Sequence, residues 1–345
     1  MGKVSCECGG GSPARQAPAG KQTGPAPVLA TALDWRDVLG GWRVRWGIGR
    51  MRYSIPPGLY RVGEPDRKSP VLVTANYKMT VDRVRCELAD LNVWLLVLDT
   101  KGVNVWCAAG KGTFGTEELV RRVEAAGLAG IVEHRNLVLP QLGATGVAAH
   151  EVKRATGFSV RYGPVRARDI RAYLAAGMQA TPQMRRVTFG WKERIVLAPV
   201  ELAGALKPAI VILFALALLD LLRHGTVSWH VAAGFAPFVA AMFAGGVLTP
   251  LLLPWLPSRA FAVKGAVAGA LCVAAAIAAL PGGAFEAAGT ALLATAIASY
   301  MGMMFTGSTT FTNQAGARLE VRRALPPILA AAALGAVLRV TAAFV

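Results

Sequence analysis

Two adjacent stretches decide the fold of this chain: Val93-Trp94-Leu95-Leu96-Val97-Leu98 and, after five intervening residues, Asn104-Val105-Trp106-Cys107-Ala108-Ala109-Gly110-Lys111. The first stretch is an uninterrupted apolar run and predicts a buried strand. A helix is expected to begin near Thr116, because Glu117 and Glu118 suit the positively polarised start of a helix. The cysteine of the second stretch therefore lies at a strand-to-helix junction, where a thiol is well placed to meet a ligand.

The alternation of apolar strands and helices extends on both sides of these stretches. Further strands are predicted at 71–74, 136–139 and 158–161, and further helices at about 80–90, 146–157 and 168–176. Thr80 is the expected N-cap of the first of these helices, and Gly157 is the glycine expected to end the second. The pattern predicts an α/β, Rossmann-like domain whose mostly parallel sheet is covered on both faces.

Ligands of such folds bind at the carboxyl ends of the strands. Four segments leave these ends: 74–78, 99–107, 140–145 and 162–164. Three of them are rich in Gly, Ala or other small residues, which lets the backbone approach a large flat ligand. We expect all four to surround one site, although Tyr162-Gly163-Pro164 taken alone is more typical of an ordinary turn.

The chain after residue 199 has a different composition. The whole chain is 54% hydrophobic with a mean hydropathy of +0.44, and five apolar segments fall at about 203–222, 229–252, 260–280, 286–306 and 325–344. Most reach the roughly 20 residues that a membrane-spanning helix needs. Residues 200–345 are therefore expected to form an all-α transmembrane domain of five helices. The few polar residues within the spans, such as Asp220 and Arg339, lie near segment ends, and their side chains are expected to extend to the interface.

The remaining domain boundaries follow from composition. Residues 1–33 are predicted to be a disordered tail, and residues 34–199 a cytoplasmic domain that opens with a partly irregular lead-in over 34–70. A hairpin or strand pair is expected within 185–207, before the chain enters the membrane.

Lys and Arg concentrate in the loops on the side of the front domain, which predicts a multi-pass protein of the cytoplasmic (inner) membrane with its carboxyl terminus outside.

The charge balance restricts the possible partners. The net charge is +17, and residues 1–199 contain 29 Lys and Arg against 16 Asp and Glu. Much of the excess lies near the junction with the apolar region, where anionic lipid headgroups attract cations, so membrane lipid is expected as a partner. No basic-aromatic recognition motif is present, so nucleic acid is not expected.

Five scattered cysteines favour a reducing compartment. Cys6 and Cys8, in the tail, are either an incidental pair or a chelator of thiophilic metal ions.

Several chemistries of Cys107 can be compared from the residues alone. A phosphate-binding loop needs a glycine where Val105 stands and Ser or Thr where Gly112 stands. Two of the four histidines belong to the apolar region, so a Cys–His nucleophile has no positive support, and the cysteines lack the spacing of a closed zinc site. A thiolate that ligates one large cofactor is the remaining option.

The octapeptide Asn104–Lys111 resembles the signature of the membrane-anchored corrinoid protein of microbial mercury methylation. Thr74-Ala75-Asn76-Tyr77-Lys78 and Gln141-Leu142-Gly143 are also similar to that family, and the resemblance extends over about residues 34–345. This family is related to the large subunit of the corrinoid iron–sulfur protein of acetyl-CoA synthesis. The resemblance implies a cobalamin-type corrinoid bound base-off, a short cap helix formed by the octapeptide, and Cys107 as the lower axial ligand of cobalt.

The resemblance further implies a corrinoid-dependent methyltransferase that delivers a methyl group from cobalt to Hg(II) as a carbanion equivalent. The implied partners are a ferredoxin-like protein with two [4Fe–4S] clusters and a methyltetrahydrofolate-linked methyl donor. Cys6 and Cys8 are hypothetical sites of Hg(II) capture. The expected cofactor-binding residues are Thr74, Asn76, Asn104, Val105, Trp106, Cys107, Ala108, Ala109, Gly110, Lys111, Gln141, Leu142, Gly143, Ala144 and Gly163.

The choice of acceptor has a physical basis of its own. Hg(II) is an electrophile and needs the methyl group with its electron pair, and a strongly donating thiolate opposite the methyl group favours that release because the axial ligand tunes the metal. Two alternatives remain open. One is a membrane-anchored corrinoid methyl carrier of an acetyl-CoA-type pathway, and the other is a transporter with a soluble regulatory domain.

Overall fold

The structure is a computed structural model that describes residues 24–280, 283–312 and 314–344. Cys6 and Cys8 lie outside the described residues. The chain forms two compact units: a front unit of the described residues up to Gly40 together with Met51–Arg186, and a helical unit of Gly41–Arg50 together with the described part of Val187–Val345.

The front unit is built on a mixed five-stranded sheet. Its strands are β1 Gly58–Val62, β2 Val71–Ala75, β3 Val93–Leu98, β4 Asn136–Leu139 and β5 Ser159–Tyr162. Their spatial order is β1-β3-β2-β4-β5, with β2 to β5 parallel and β1 antiparallel to β3. The predicted α/β class and largely parallel sheet are confirmed. Every residue of β2 and β3 is buried, because helices cover both faces of the sheet.

Among the described residues up to Arg186 there are seven helices and three single 3-10 turns, of which the first helix and the first 3-10 turn include residues of the segment Gly41–Arg50 that belongs to the helical unit. The helices are α1 Trp35–Arg45, α2 Lys78–Glu87, α3 Val105–Lys111, α4 Thr116–Ala125, α5 Leu128–Ile131, α6 Ala149–Thr156 and α7 Ile170–Ala175. The 3-10 turns are Arg50–Arg52, Gln141–Gly143 and Ala167–Asp169. Helices α3 to α6 pack on one face of the sheet, and α2 and α7 pack on the other.

Several local predictions need correction. Helix α2 begins at Lys78 with Tyr77 as its N-cap, not at Thr80, because Lys78 forms an ion pair with Asp82 one turn later. Helix α6 begins at Ala149 rather than near Gly146, and it ends at the predicted Gly157, which has a φ of 77°. The lead-in over 34–70 contains α1 and the edge strand β1.

Part of the predicted tail is ordered against the sheet. Val28 forms a β-bridge with Arg61 of β1, and the Leu29 N–H donates to the Arg61 carbonyl at 2.7 Å. Arg85 of α2 donates to the carbonyl oxygens of Ala30 and Ala32, at 2.6 and 2.8 Å. Residues 26–32 therefore belong to the front unit.

The helical unit contains α8 Trp191–Ile195, α9 Ala198–His224, α10 His230–Phe243, α11 Thr249–Leu251, α12 Phe261–Ala278, α13 Ala284–Phe305 and α14 Gln314–Phe344. A π-helical turn at Ala244–Leu248 joins α10 to α11, and a 3-10 turn at Thr306–Ser308 follows α13. Among the described residues, five helices are long and apolar enough to cross a membrane, as predicted. The expected strand pair within 185–207 is wrong: α8 forms there, because Glu193 accepts a hydrogen bond from the Gly190 N–H and caps the helix.

Candidate functional site

The sheet opens between the carboxyl ends of the neighbouring strands β2 and β4. β2 pairs with β3 along its whole length, from Val71 to Ala75, but it pairs with β4 only through Val71–Leu137 and Leu72–Val138. The two strands therefore diverge after Leu72 and Val138. This is also the place where the strand order reverses, and open α/β sheets bind ligands in the crevice at that position.

A cavity of about 450 Å³ occupies this opening, on the side of the sheet covered by α2 and α7. Strand residues such as Thr74 and Leu139 form its floor, and Asn104, Val105 and Trp106 at the start of α3 contribute another wall. Most of the lining side chains are apolar. The remaining lining residues are Leu72, Val73, Tyr77, Met79, Thr80, Arg83, Val84, Val138, Pro140, Leu142, Pro164, Val165, Ala167 and Ile170.

Helix α3 carries the thiol next to this cavity. The side chain of Asn104 caps the helix by accepting a hydrogen bond from the Cys107 N–H at 3.0 Å, which satisfies one of the free donors of a helix start. Gly112 ends the helix with a φ of 79°, a conformation that favours glycine. Val105, Ala108 and Ala109 face the core, whereas Trp106 and Cys107 are exposed. Cys107 is a free cysteine, one residue along the helix from the cavity wall.

Small residues hold α3 against the loop that follows β4. A Cβ atom on Gly143 would lie 2.5 Å from the Phe114 ring, and one on Gly146 would lie 3.0 Å from the Ala109 Cα atom. Ala108, Ala109 and Phe114 are buried in the same core. The predicted segment 141–144 therefore supports α3, and within it Leu142 lines the cavity. Gln141 accepts a hydrogen bond from Arg185 Nη1 at 2.7 Å.

Asn76 fixes the loop that leads into α3. Its side-chain oxygen accepts hydrogen bonds from the N–H groups of Thr100 and Gly102, at 3.1 and 3.0 Å. Its amide nitrogen is 3.3 Å from Asp99 Oδ1. Asn76 is buried, and all of these contacts lie within the protein, so this residue positions the loop that precedes α3.

The structure brings five of the predicted site residues to the cavity wall: Thr74, Asn104, Val105, Trp106 and Leu142. In the described part of the chain, the wall does not include Asn76, Cys107, Ala108, Ala109, Gly110, Lys111, Gln141, Gly143, Ala144 or Gly163. Gly163 packs closely beneath it, since a Cβ there would lie 3.1 Å from Val138 Cγ1. Gly110 and Lys111 share the exposed side of α3 with Cys107. Cofactor binding by these residues stays a prediction.

One face of α2 was missed by the sequence reasoning. Met79, Thr80, Arg83 and Val84 line the cavity, and their spacing of one and four residues is typical of one side of a helix. The sequence did contain one indication of this face: Met79 and Val84 are apolar, and they lie beside Arg83, which is charged and exposed. Thr80 contributes to the wall rather than to a cap.

A buried charge cluster anchors the start of α2 to α1. Lys78 contacts Asp37 and Asp82, and Arg85 contacts the same two carboxylates. Burial favours the neutral form of Asp37, but the hydrogen bonds from Lys78 and Arg85 outweigh it and hold the pKa of this carboxyl well below its usual range. The cluster therefore stabilises the helix that forms one side of the cavity.

The described residues contain no group of three or more His, Cys, Asp or Glu side chains placed to hold a metal ion.

Two polar residues near the ends of the predicted spans, Asp220 and Arg339, have polar partners within the helical unit. Asp220 is buried and accepts hydrogen bonds from Ser228 N and Oγ, at 2.7 and 2.8 Å, with His224 Nδ1 at 2.8 Å. Arg339 forms an ion pair with Glu286. Asp220 and Arg339 thus bind partners inside the unit, where both line one cavity of about 580 Å³, and their extension to a membrane interface stays a prediction.

Comparison with known proteins finds similarity between the front unit and subunits of CO dehydrogenase/acetyl-CoA synthase. A family model described as the CO dehydrogenase/acetyl-CoA synthase delta subunit matches residues 50–174. The acetyl-CoA decarbonylase/synthase complex subunit gamma of Methanopyrus kandleri is 41% identical over 112 residues, which are 32% of this chain and 24% of that protein. The subunit gamma of Archaeoglobus fulgidus is 31% identical over 152 residues, which are 43% of this chain and 32% of that protein.

The chain spans about a third or less of the length of these relatives. The similarity to the corrinoid protein of acetyl-CoA synthesis that the sequence resemblance implied is confirmed, with the family match at residues 50–174. Mercury is not part of any of these descriptions. The family match ends at residue 174, before the helical unit resumes at Val187.

Proposed function

We propose that this chain is a membrane-bound, corrinoid-dependent methyl-transfer protein in which Cys107 supplies the protein ligand of the cobalt. The observation that carries the proposal is the exposed, free thiol of Cys107 on a capped helix beside the cavity between β2 and β4. The similarity of the front unit to acetyl-CoA decarbonylase/synthase subunits supports methyl transfer as the chemistry.

The residues present suit a corrinoid. The cavity offers apolar walls to a flat macrocycle, with Thr74, Asn104 and Arg83 as polar groups for its side chains. A macrocycle is larger than this cavity, so only part of it would be enclosed. When bound, the corrinoid supplies a cobalt centre that carries a methyl group. Trp106 and the apolar wall would exclude water, and Asn104 would hold the turn that presents the thiol.

For the methyl acceptor we propose Hg(II), because of the chemistry of the thiol. As a thiolate, Cys107 would donate electron density to the metal of a bound corrinoid, which would favour release of a methyl group together with its bonding electrons. Hg(II) is an acceptor of that kind. The similarity of Asn104–Lys111 to the mercury-methylation signature supports the same acceptor.

A second candidate is a methyl carrier for a one-carbon pathway of the acetyl-CoA type, and the relatives found by comparison favour it over mercury. For either acceptor we propose a ferredoxin-like protein with two [4Fe–4S] clusters as the reductant and a methyltetrahydrofolate-linked protein as the methyl source. The five apolar helices are proposed to cross the cytoplasmic membrane, with the front unit on the cytoplasmic side.

The cobalt spectrum tests the role of Cys107. Full-length protein would be purified without oxygen and loaded with corrinoid, and its absorption spectrum compared with those of Cys107→Ala and Cys86→Ala. Cys86 is a suitable control because it is also a free cysteine of the front unit, and burial raises the pKa of its thiol. We expect a changed spectrum in Cys107→Ala alone. An unchanged spectrum would overturn the ligand role, and a parent protein that retains no corrinoid would overturn the whole proposal.

The acceptor is tested by supplying the loaded, reduced protein with Hg(II) in one reaction and with an acetyl-CoA synthase preparation in another. We expect methylmercury in the first reaction and its loss in Cys107→Ala. Methyl transfer confined to the second reaction would replace mercury with the one-carbon acceptor and leave the corrinoid assignment intact.

A further inference from the structure

A long trough runs between α12 and α14 in the helical unit. Both helices pack against α13, which forms the floor of the trough, and the enclosed volume is about 710 Å³. On α14 the lining residues recur every three or four positions, from Leu319 through Ala324 and Ile328 to Ala331. Ala262, Val263 and Ala266 form the opposite wall on α12. The walls are therefore apolar along about three turns of helix.

Two arginines stand at one end of this trough. Arg259, just before α12, and Arg323, near the start of α14, both line it and are both exposed. Within the described part of the chain, neither lies within 4 Å of a carboxylate. Glu320 lines the same end, but its carboxylate accepts a hydrogen bond from the Ala262 N–H at 2.8 Å. Arg318 and Arg322 add two exposed cations to the same end of α14.

We propose that the trough is a binding site for one anionic phospholipid, with the phosphate at Arg259 and Arg323 and an acyl chain along α12 and α14. The charges of the mouth complement a phosphate, and the apolar walls complement a hydrocarbon chain. Basic pockets between membrane helices bind anionic headgroups for the same reason. This inference rests on the proposed membrane location and is independent of the corrinoid.

A second copy of the chain fits the trough less well. Two copies in one bilayer run in the same direction, so the mouth of one would meet the equivalent cationic end of the other. That end carries four arginines, Arg259, Arg318, Arg322 and Arg323, against one carboxylate, Glu320. Mostly like charges would therefore meet there, which is unfavourable. A lipid phosphate brings the opposite charge and needs no partner chain.

Lipid binding to the full-length protein tests the proposal. The protein would be purified in detergent and examined by native mass spectrometry after addition of phosphatidylglycerol or phosphatidylcholine. Each arginine near a membrane surface contributes about 1 kcal/mol, so the double variant Arg259→Gln/Arg323→Gln should bind phosphatidylglycerol about thirtyfold more weakly than the parent. Arg322→Gln is the matched control, because it removes a neighbouring charge that does not line the trough, and it should retain most of the binding.

A second variant tests the acyl-chain part of the site without altering Arg259 or Arg323. Ala331→Trp would fill the far end of the trough without changing a charge, and it should also reduce phosphatidylglycerol binding. Size-exclusion profiles and helical circular dichroism would verify that the variants remain folded. Equal binding of both lipids by the parent, equal loss in Arg322→Gln and the double variant, or a lipid-free dimer would each overturn the proposal. Recovery of the chain in the soluble fraction would instead overturn the membrane location itself.

Discussion

The side-chain oxygen of Asn104 accepts a hydrogen bond from the Cys107 N–H at 3.0 Å, and Asn104 itself lines the cavity between β2 and β4. The residue that starts α3 therefore also forms the wall beside the thiol. Because Asn104 both caps the helix that carries the thiol and lines the cavity, it is the first position to test.

Replacing Asn104 with alanine should lower the free energy of unfolding of the front unit by about 1 kcal/mol, because the helix loses its cap. Amide hydrogen exchange across Val105–Lys111 should become faster. Asn104→Asp keeps an oxygen that can cap the helix and should remain close to the parent. Equal exchange in the alanine and aspartate variants would show that the cap does not hold α3.

Asn76→Ala should destabilise the loop between β3 and α3. The buried N–H groups of Thr100 and Gly102 would lose their acceptor, and a buried donor left unpaired costs about 1–3 kcal/mol. Exchange of these two amides reports the effect directly. Asn92→Ala is the control, since exposed Asn92 also accepts a backbone hydrogen bond, from Glu64 N at 2.9 Å. An equally small effect at both positions would contradict the proposed role of Asn76 in positioning the loop.

The front unit should lose stability in acid through Asp37. Contacts with Lys78 and Arg85 hold its pKa below the usual range despite burial, so folding favours the charged carboxylate. The stabilisation is complete above the unfolded pKa of about 4 and is lost as the pH falls below that value towards the folded pKa. The parent should therefore have a clearly higher melting temperature than Asp37→Asn at neutral pH. The two melting temperatures should approach each other in acid. A constant difference between pH 7 and pH 3 would contradict this assignment.

Gly143→Ala should destabilise the support of α3 by about 1–3 kcal/mol, because the new Cβ would lie 2.5 Å from the buried Phe114 ring and overpacking carries a cost of this size. The loss should shrink when the same change is made in a Phe114→Leu background, where the ring is absent. Gly130→Ala is the control, since nothing lies within 4 Å of its added Cβ. Additive effects of Gly143→Ala and Phe114→Leu would exclude the contact as the cause.

The sheet and the five long helices were predictable because continuous apolar runs carry their own signal. β3 and β4 have the predicted bounds, and Gly157 ends α6 as expected. β1 was missed because its half-buried residues become a strand only by pairing with β3. The start of α2 at Lys78 was missed although Lys78 pairs with Asp82 four residues later; its second partner, Asp37, is 41 residues away in the sequence, and local reasoning cannot detect that contact.

The candidate site was predictable only in part. The rule that ligands bind at strand ends led to Thr74, Asn104 and Leu142, which line the cavity. The rule did not distinguish these lining residues from Asn76 and Gly143, which contact the loops around α3 without lining the cavity. Both kinds of residue come from the same segments of the sequence. The contribution of α2 also depends on where β4 diverges from β2, and sequence spacing does not contain that information.

The short pairing between β2 and β4 has a mechanical consequence. Only two residue pairs connect these strands, and both use the amino-terminal end of β2. Thr74 of β2 and Leu139 of β4 lie beyond these pairs, and both line the cavity. A ligand that enters the gap between them would not have to displace a hydrogen bond between β2 and β4.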